Sequence, residues 1–275
     1  MRRGRPSVLP MDTTPSDVGG HIRTWRQRRR LSQLELAVDS AISTRHLSFL
    51  ETGRSRPSRE VVLRLAESLA VPLRDRNAML VSAGFAPVYP ERRIDDAPLA
   101  AARAAMDIIL RGHEPYPALA VDRAWSMIAA NRAIGPLLEG VAPGLLAPPV
   151  NVMVLSLHPE GLAPRIENLA EWRRHLLERL ERQIEASADP TLADLLQRLE
   201  GLPSPRVPDR TRHATQGPLV PIRLRVGRDT LSMFSTTTVF GTPVEITLSE
   251  LAIESFFPAD ETTAEALRQM FPHPA

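Results

Sequence analysis

The segment from Leu31 to Arg54 constrains the fold more than any other, because its spacing fits two short helices around a tight turn. Ser32 and Glu35 stand in the S-x-x-E pattern of a capping box, which predicts a helix beginning at Gln33 with Leu36 and Ala37 turned inward. Ser43 predicts a second start. Leu47 and Leu50 follow at helical spacing, Ile42 precedes the cap, and Gly53 offers the left-handed residue that stops the helix after Glu51. Two helices this short cannot bury their own apolar faces, so neighbouring sequence must wall them in. His21 to Arg30 reads as a helix with Ile22 and Trp25 apolar, and Ser58 caps another that carries Val62, Leu65, Ala66 and Leu69. Pro72, at a first helical position, opens a fifth whose Leu73 and Leu80 pack back. The expectation is an all-α five-helix domain over residues 18–83.

The order of these residues, leucine, Ser32-Gln33, Leu36-Ala37, a serine-led second helix, Glu51-x-Gly53 and Pro57-Ser58, resembles the xenobiotic-response-element (XRE) family of bacterial helix-turn-helix regulators. The resemblance implies a lambda-repressor-like domain that binds double-stranded DNA with Thr44 to Leu50 in the major groove. It places Gln33, Thr44, Arg45 and Phe49 at base edges, and Ser43, Ser48, Arg54 and Arg56 at phosphates. Chemistry supports Arg45 independently, since an exposed arginine can grip guanine O6 and N7 at two points, worth about 1–3 kcal/mol of discrimination. Phe49 reads either as a thymine-methyl contact or as core. Thr44 reads as a base contact or a plain helix start, and Gln33 as a base contact or a partner of a phosphate or of its own helix terminus. One such helix reads few bases, so a homodimer on two half-sites is expected.

Charge is unevenly placed. The chain carries a net +2, yet residues 1–83 hold 15 arginines and 8 acidic residues, net +7, against 19 and 24 in residues 84–275. Each phosphate neutralised adds roughly −0.9 to the slope of log affinity against log salt, so the first domain should bind duplex DNA with strong salt dependence. Arg26, Arg28, Arg29 and Arg30 read as a backbone clamp or as a solvated helix face.

At 275 residues and 43% hydrophobic content there is material for a second core. No run approaches the roughly 18 apolar residues needed to cross a bilayer and no signal-peptide core opens the chain, which predicts a soluble cytoplasmic protein without membrane contact. With no cysteine, disulfides, thiolate zinc sites and thiol redox sensing are excluded. Residues 1–17 read as a disordered arm in which Arg2, Arg3 and Arg5 touch DNA or play no part, and Met11 is an alternative start.

Pro87, Pro90, Asp95, Asp96 and Pro98 mark a linker over 84–98, before an alanine-rich helix from Leu99 to Arg111 that joins the domains. Ala118 to Asp122 and Ser126 to Ala130 read as strands around a tight turn, and Asn131 as the start of a helix through Leu138. Asn151 to Leu157 is a short apolar element; Pro164 to Ala186 and Asp189 to Leu199 read as helices. Leu219 to Val226, Thr230 to Val239 and Val244 to Ser255 read as three strands joined at Gly227-Arg-Asp229 and Gly241-Thr-Pro243, with a closing helix from Thr262 to Met270. The sum is an α+β domain over 99–275, an antiparallel five-stranded sheet with helices on one face.

Glu114-Pro-Tyr-Pro-Ala-Leu-Ala-Val-Asp122, Trp125, Ala129-Ala-Asn131, Asn151, Leu155-x-Leu-His-Pro159 and Asn168-Leu-Ala-Glu-Trp-Arg173 make this half resemble the ligand-binding domain of MmyB-like transcription regulators, a PAS-like module. The resemblance implies a regulator that senses a small apolar ligand, with fatty acids as the suggested class. Burying about 12 methylenes yields roughly 10 kcal/mol gross, before ordering costs. A carboxylate head calls for a basic partner, for which Arg173, Arg174, His175 and His158 are candidates, and arginine's planar fork is the best match. Trp125, Leu155, Trp172, Leu176, Met233, Phe234 and Phe240 are candidates to line the chain, or else plain core. Arg173 alternatively pairs with Glu171 or Glu178.

No catalytic residue is assigned. His158 and His175 are isolated, no metal-ligand spacing, phosphate loop or G-x-S-x-G turn occurs, and the carboxylates between Glu167 and Glu185 alternate with arginines as on a solvated helix. No cofactor is expected beyond a bound fatty acid. The alternative is an antitoxin or architectural DNA binder whose second domain grips a protein.

Overall fold

The computed structural model describes residues 17–203, 219–241 and 243–271. Residues 1–16 of the arm expected over 1–17, and Thr242 of the Gly241-Thr-Pro243 connection, lie outside these residues. The chain divides into two compact units, one ending at Pro90 and the other running from Glu91.

The first unit contains α1 (Val18–Arg28), α2 (Gln33–Asp39), α3 (Thr44–Glu51), α4 (Arg59–Ser68) and α5 (Leu73–Ser82). Local chemistry sets their starts. Asp17 caps α1, the Ser32/Glu35 capping box opens α2, and the hydroxyls of Ser43 and Ser58 accept the N–H groups of His46 and Val61. Each such cap is worth about 1 kcal/mol. Pro72 sits one residue earlier than expected, as the cap of α5 without a side-chain bond. Ile22, Trp25, Leu36, Leu47, Leu50, Val62, Leu65 and Leu80 are buried together at the helices' inner faces. α1 and α3 approach so closely at Gly19 that a Cβ there would stand 2.3 Å from the Leu50 carbonyl oxygen.

The second unit begins with α6 (Ala100–Gly112), then β1 (Ala118–Val121), β2 (Met127–Ala130), α7 (Ile134–Leu137), α8 (Val152–Leu157), α9 (Leu169–Ser187) and α10 (Pro190–Glu200). It continues with β3 (Ile222–Val226), β4 (Asp229–Val239), α11 (Ile246–Ser249), β5 (Ala252–Pro258) and α12 (Glu261–Met270). The sheet is antiparallel and five-stranded in the order β2-β1-β5-β4-β3. This is the PAS-like arrangement that the sequence suggests.

Three expectations need correction. Asn131 caps no long helix: it accepts from the Ala118 N–H and donates to the Leu110 and Tyr116 carbonyls, so the helix behind it shrinks to α7. Val244 to Ser255 is no single strand, because the buried Glu245 carboxylate accepts from the Leu248 N–H and starts α11, delaying β5 to Ala252. Nor do the helices occupy one face only. β1 is buried at every residue: Leu119 and Val121 join the core beneath α8, α9 and α10, while Ala118 and Ala120 meet Met106 and Leu110 of α6 on the opposite side.

Candidate DNA-binding face and apolar cavity

In the first unit the side chains that hold α3 are internal and those at its start are outward. Glu51, the last residue of α3, receives both ends of the Arg26 fork, Nε to Oε1 at 2.6 Å and one terminal nitrogen to Oε2 at 2.9 Å. Its side chain is 1% exposed and that of Arg26 12%. The Gln33 amide nitrogen donates to Glu51 Oε2 at 2.8 Å, and Arg26 also reaches the Leu31 carbonyl. One carboxylate thus ties α1, α2 and α3 together. Burial pushes the Glu51 carboxyl up, but hydrogen bonds from Arg26 and Gln33 and the charges of Arg26 and Arg23 outweigh it and hold it below its ordinary value.

These contacts change the reading of several arginines. Arg26 belongs to the interior, and Arg29 donates to the carbonyls of Leu69 and Ala70, bracing the end of α4. Arg26 and Arg29 of the run are therefore engaged within the unit. Among the expected base readers, Thr44 and Arg45 are exposed in the first turn of α3. The Arg45 guanidinium lies 5.3 Å from the centre of the half-buried Phe49 ring, one turn on, so Phe49 serves as its platform. Gln33 is turned toward Glu51. Ser43 is the cap of α3, the Ser48 carbonyl accepts from the Thr52 hydroxyl, and Arg54 and Arg56 are exposed in the loop that follows.

In the second unit, a cavity of about 100 Å³ lies between the sheet and α7, α8 and α9. Trp125, Leu155, Trp172, Leu176 and Met233 line it, as do Leu119, Met127 and Met153. His158, Arg173, Phe234 and Phe240 do not, and the reasons are geometric. Phe234 follows Met233 on a strand, where neighbours face opposite ways, and stacks on Phe257 across the sheet at 5.6 Å. Phe240 packs beside the α6 cluster. His158 ends α8, its Nδ1 accepting from the Glu160 N–H. Arg173 is one residue off the Trp172 stripe of α9 and donates to the Glu200 carbonyl at the end of α10. Neither Glu171 nor Glu178 takes it. Arg174 is exposed, 3.9 Å from Glu178, and His175 stacks on Trp172 with ring centres 5.4 Å apart.

The charged group at the cavity wall is one that the sequence reading passed over. Arg179 continues the spacing of Trp172 and Leu176, which is the signal that could have found it. It forms a two-point ion pair with Glu254 of β5, 3.0 Å at its Nη1–Oε2 contact, with its carbon centre 4.5 Å from the Trp125 ring. Thr237 accepts from Arg179 and donates to Glu254 at 2.7 Å. The two indoles are fixed as well, Trp125 Nε1 donating to Gln183 and Trp172 Nε1 to the Ser156 hydroxyl. Trp125 has φ +64, left-handed backbone that costs a bulky residue of order 1–3 kcal/mol, in a turn closed by Asp122 accepting from the Ala124 and Ser126 N–H groups.

Residues 102–270 match the family described as MmyB-like transcription regulator ligand binding domain, and residues 17–79 match a helix-turn-helix domain family. No curated protein matches the chain. Among solved structures, an RNA-binding light-oxygen-voltage receptor is similar at 12% identity over 98% of this chain and 69% of that one. Its TM-score of 0.28 is too low to carry any argument.

Proposed function

The chain belongs to the family of MmyB-like transcription regulators, a helix-turn-helix followed by a ligand-binding domain, and from that premise we propose how it reads DNA and what it senses. It is a ligand-responsive DNA-binding regulator. Arg45 reads guanine from the first turn of α3, steadied by Phe49, with Thr44 beside it at the base edges and Gln33, whose amide nitrogen is held by Glu51, offering its amide oxygen. Ser43, Ser48, Arg54 and Arg56 hold phosphates. A homodimer sets two copies of α3 on half-sites about one helical turn apart.

The ligand is a small apolar molecule with an acyl or alkyl chain, a fatty acid or a similar lipid with a neutral head, and the cavity is the observation that carries this reading. Its volume is about two thirds that of an apolar cavity of about 150 Å³ that takes benzene, so only a short acyl body enters it as it stands. Longer chains are accommodated by Met127, Met153 and Met233, whose unbranched side chains re-pack readily. Regulation follows if the ligand binds one state of the protein more tightly than the other. Native mass spectrometry of freshly purified full-length protein tests the reading. A lipid mass lost on denaturing extraction, which then shifts operator affinity when added back, is the expected result; an empty protein whose DNA binding ignores lipids would overturn it.

A further inference from the structure

We propose that the cavity selects an apolar ligand with an uncharged head group, and that the Arg179–Glu254 pair is what turns carboxylates away. This rests on the cavity being the ligand site. Among the described residues lining it, Arg179 is the sole cation and Glu254 the sole carboxylate, so the wall is already neutral. The arginine is also engaged: both ends of its fork face Glu254, Thr237 accepts from it, and the Trp125 ring covers its face. The Arg179 side chain is 16% exposed and that of Glu254 4%, so the pair is largely withdrawn from bulk water.

A carboxylate entering this wall has two courses, and both are unfavourable. Beside the intact pair it is a second buried anion sharing one cation, which disfavours the charged form. In place of Glu254 it leaves that carboxylate buried without its partner. Among the described residues no second cation lines the wall: Arg173 is engaged at the Glu200 carbonyl. Burial and the charges of Arg179 and Arg182 push the His175 imidazole below its ordinary value, which keeps it neutral at pH 7. A neutral head meets a better surface. Ser156 accepts from Trp172 Nε1 and keeps its own hydroxyl proton to donate, and Ser235 lines the same cavity. An alcohol, a primary amide or an ester of a medium-length chain matches that chemistry.

The test uses full-length protein at pH 7 and a panel with one chain and different heads, octan-1-ol, octanamide and octanoate, followed by calorimetry and by quenching of Trp125 and Trp172. The alcohol and amide should bind at least tenfold more tightly than octanoate. Glu254→Gln removes the competing charge and frees Arg179, so the affinity for octanoate relative to octan-1-ol should rise at least tenfold. Octanoate binding the unaltered protein as tightly as the alcohol would overturn the proposal and leave the cavity a ligand site. If no head group binds, the reading of the cavity itself falls, and the proposal with it. A folded Glu254→Gln protein that gains nothing for octanoate would also overturn the role given to the pair. The panel on the unaltered protein needs no variant, so the proposal stays testable even where Glu254→Gln does not fold.

Discussion

Each unit buries one two-point arginine–glutamate pair, and the surroundings give the two pairs different work. Arg26–Glu51 is joined by Gln33 about an almost wholly buried carboxylate, so three helix segments converge on it. Arg179–Glu254 links α9 to β5 at the edge of unfilled space. The same chemistry is a bolt in solid packing and a selective wall beside a cavity. What decides is the free volume next to it.

The largest expected effect breaks the first pair. Arg26→Met leaves Glu51 buried without its cation and should cost about 3–5 kcal/mol of stability in denaturant unfolding. Arg179→Met should cost less than half as much, because water entering the cavity can solvate Glu254. Equal losses would refute the contrast. Next comes the outward surface that the first pair supports: Arg45→Ala should relax base preference at one position of each half-site by about 1–3 kcal/mol in competition binding. Leu155→Phe fills free volume in the second unit and should weaken lipid binding about tenfold, about 1.4 kcal/mol, with DNA affinity in the absence of lipid unchanged. Smallest is Arg54→Ala, which should weaken all sequences alike and lower the salt slope by about 1.

Acid sharpens the comparison further. The Glu51 carboxyl is held below its ordinary 4.5, so its contribution is fully present above that value and is lost as pH falls from 4.5 through the lower folded value. Glu51→Gln should flatten that part of the acid unfolding curve of the first unit, measured as the shift in midpoint between pH 5 and pH 3.

What was legible in the sequence was local. Ser32, Ser43 and Ser58 are caps, and Gly53 is left-handed at φ +71, because each needs only residues a few positions away. Where a local signal had two meanings the reading failed. Asn131 looks like a cap but is a buried tie between three backbone groups, and the β-branched stretch after Val244 hides a carboxylate that starts a helix. The cavity was half legible, since helical spacing finds Trp172 and Leu176 and, carried one turn further, Arg179. Its partner Glu254 lies 75 residues away on a strand, and nothing short-range announces it. Alternation along β4 should have separated Met233 from Phe234, but the register depends on pairing with β5 and β3.

β1 separates the cavity-side core from α6 by the thickness of one backbone. Leu119 and Val121 face one way, Ala118 and Ala120 the other. The cavity-side core and the seating of α6 are therefore written in alternate letters of one four-residue word. A change at Leu119 reshapes the cavity wall, while Ala118 and Ala120 keep the helix where it was.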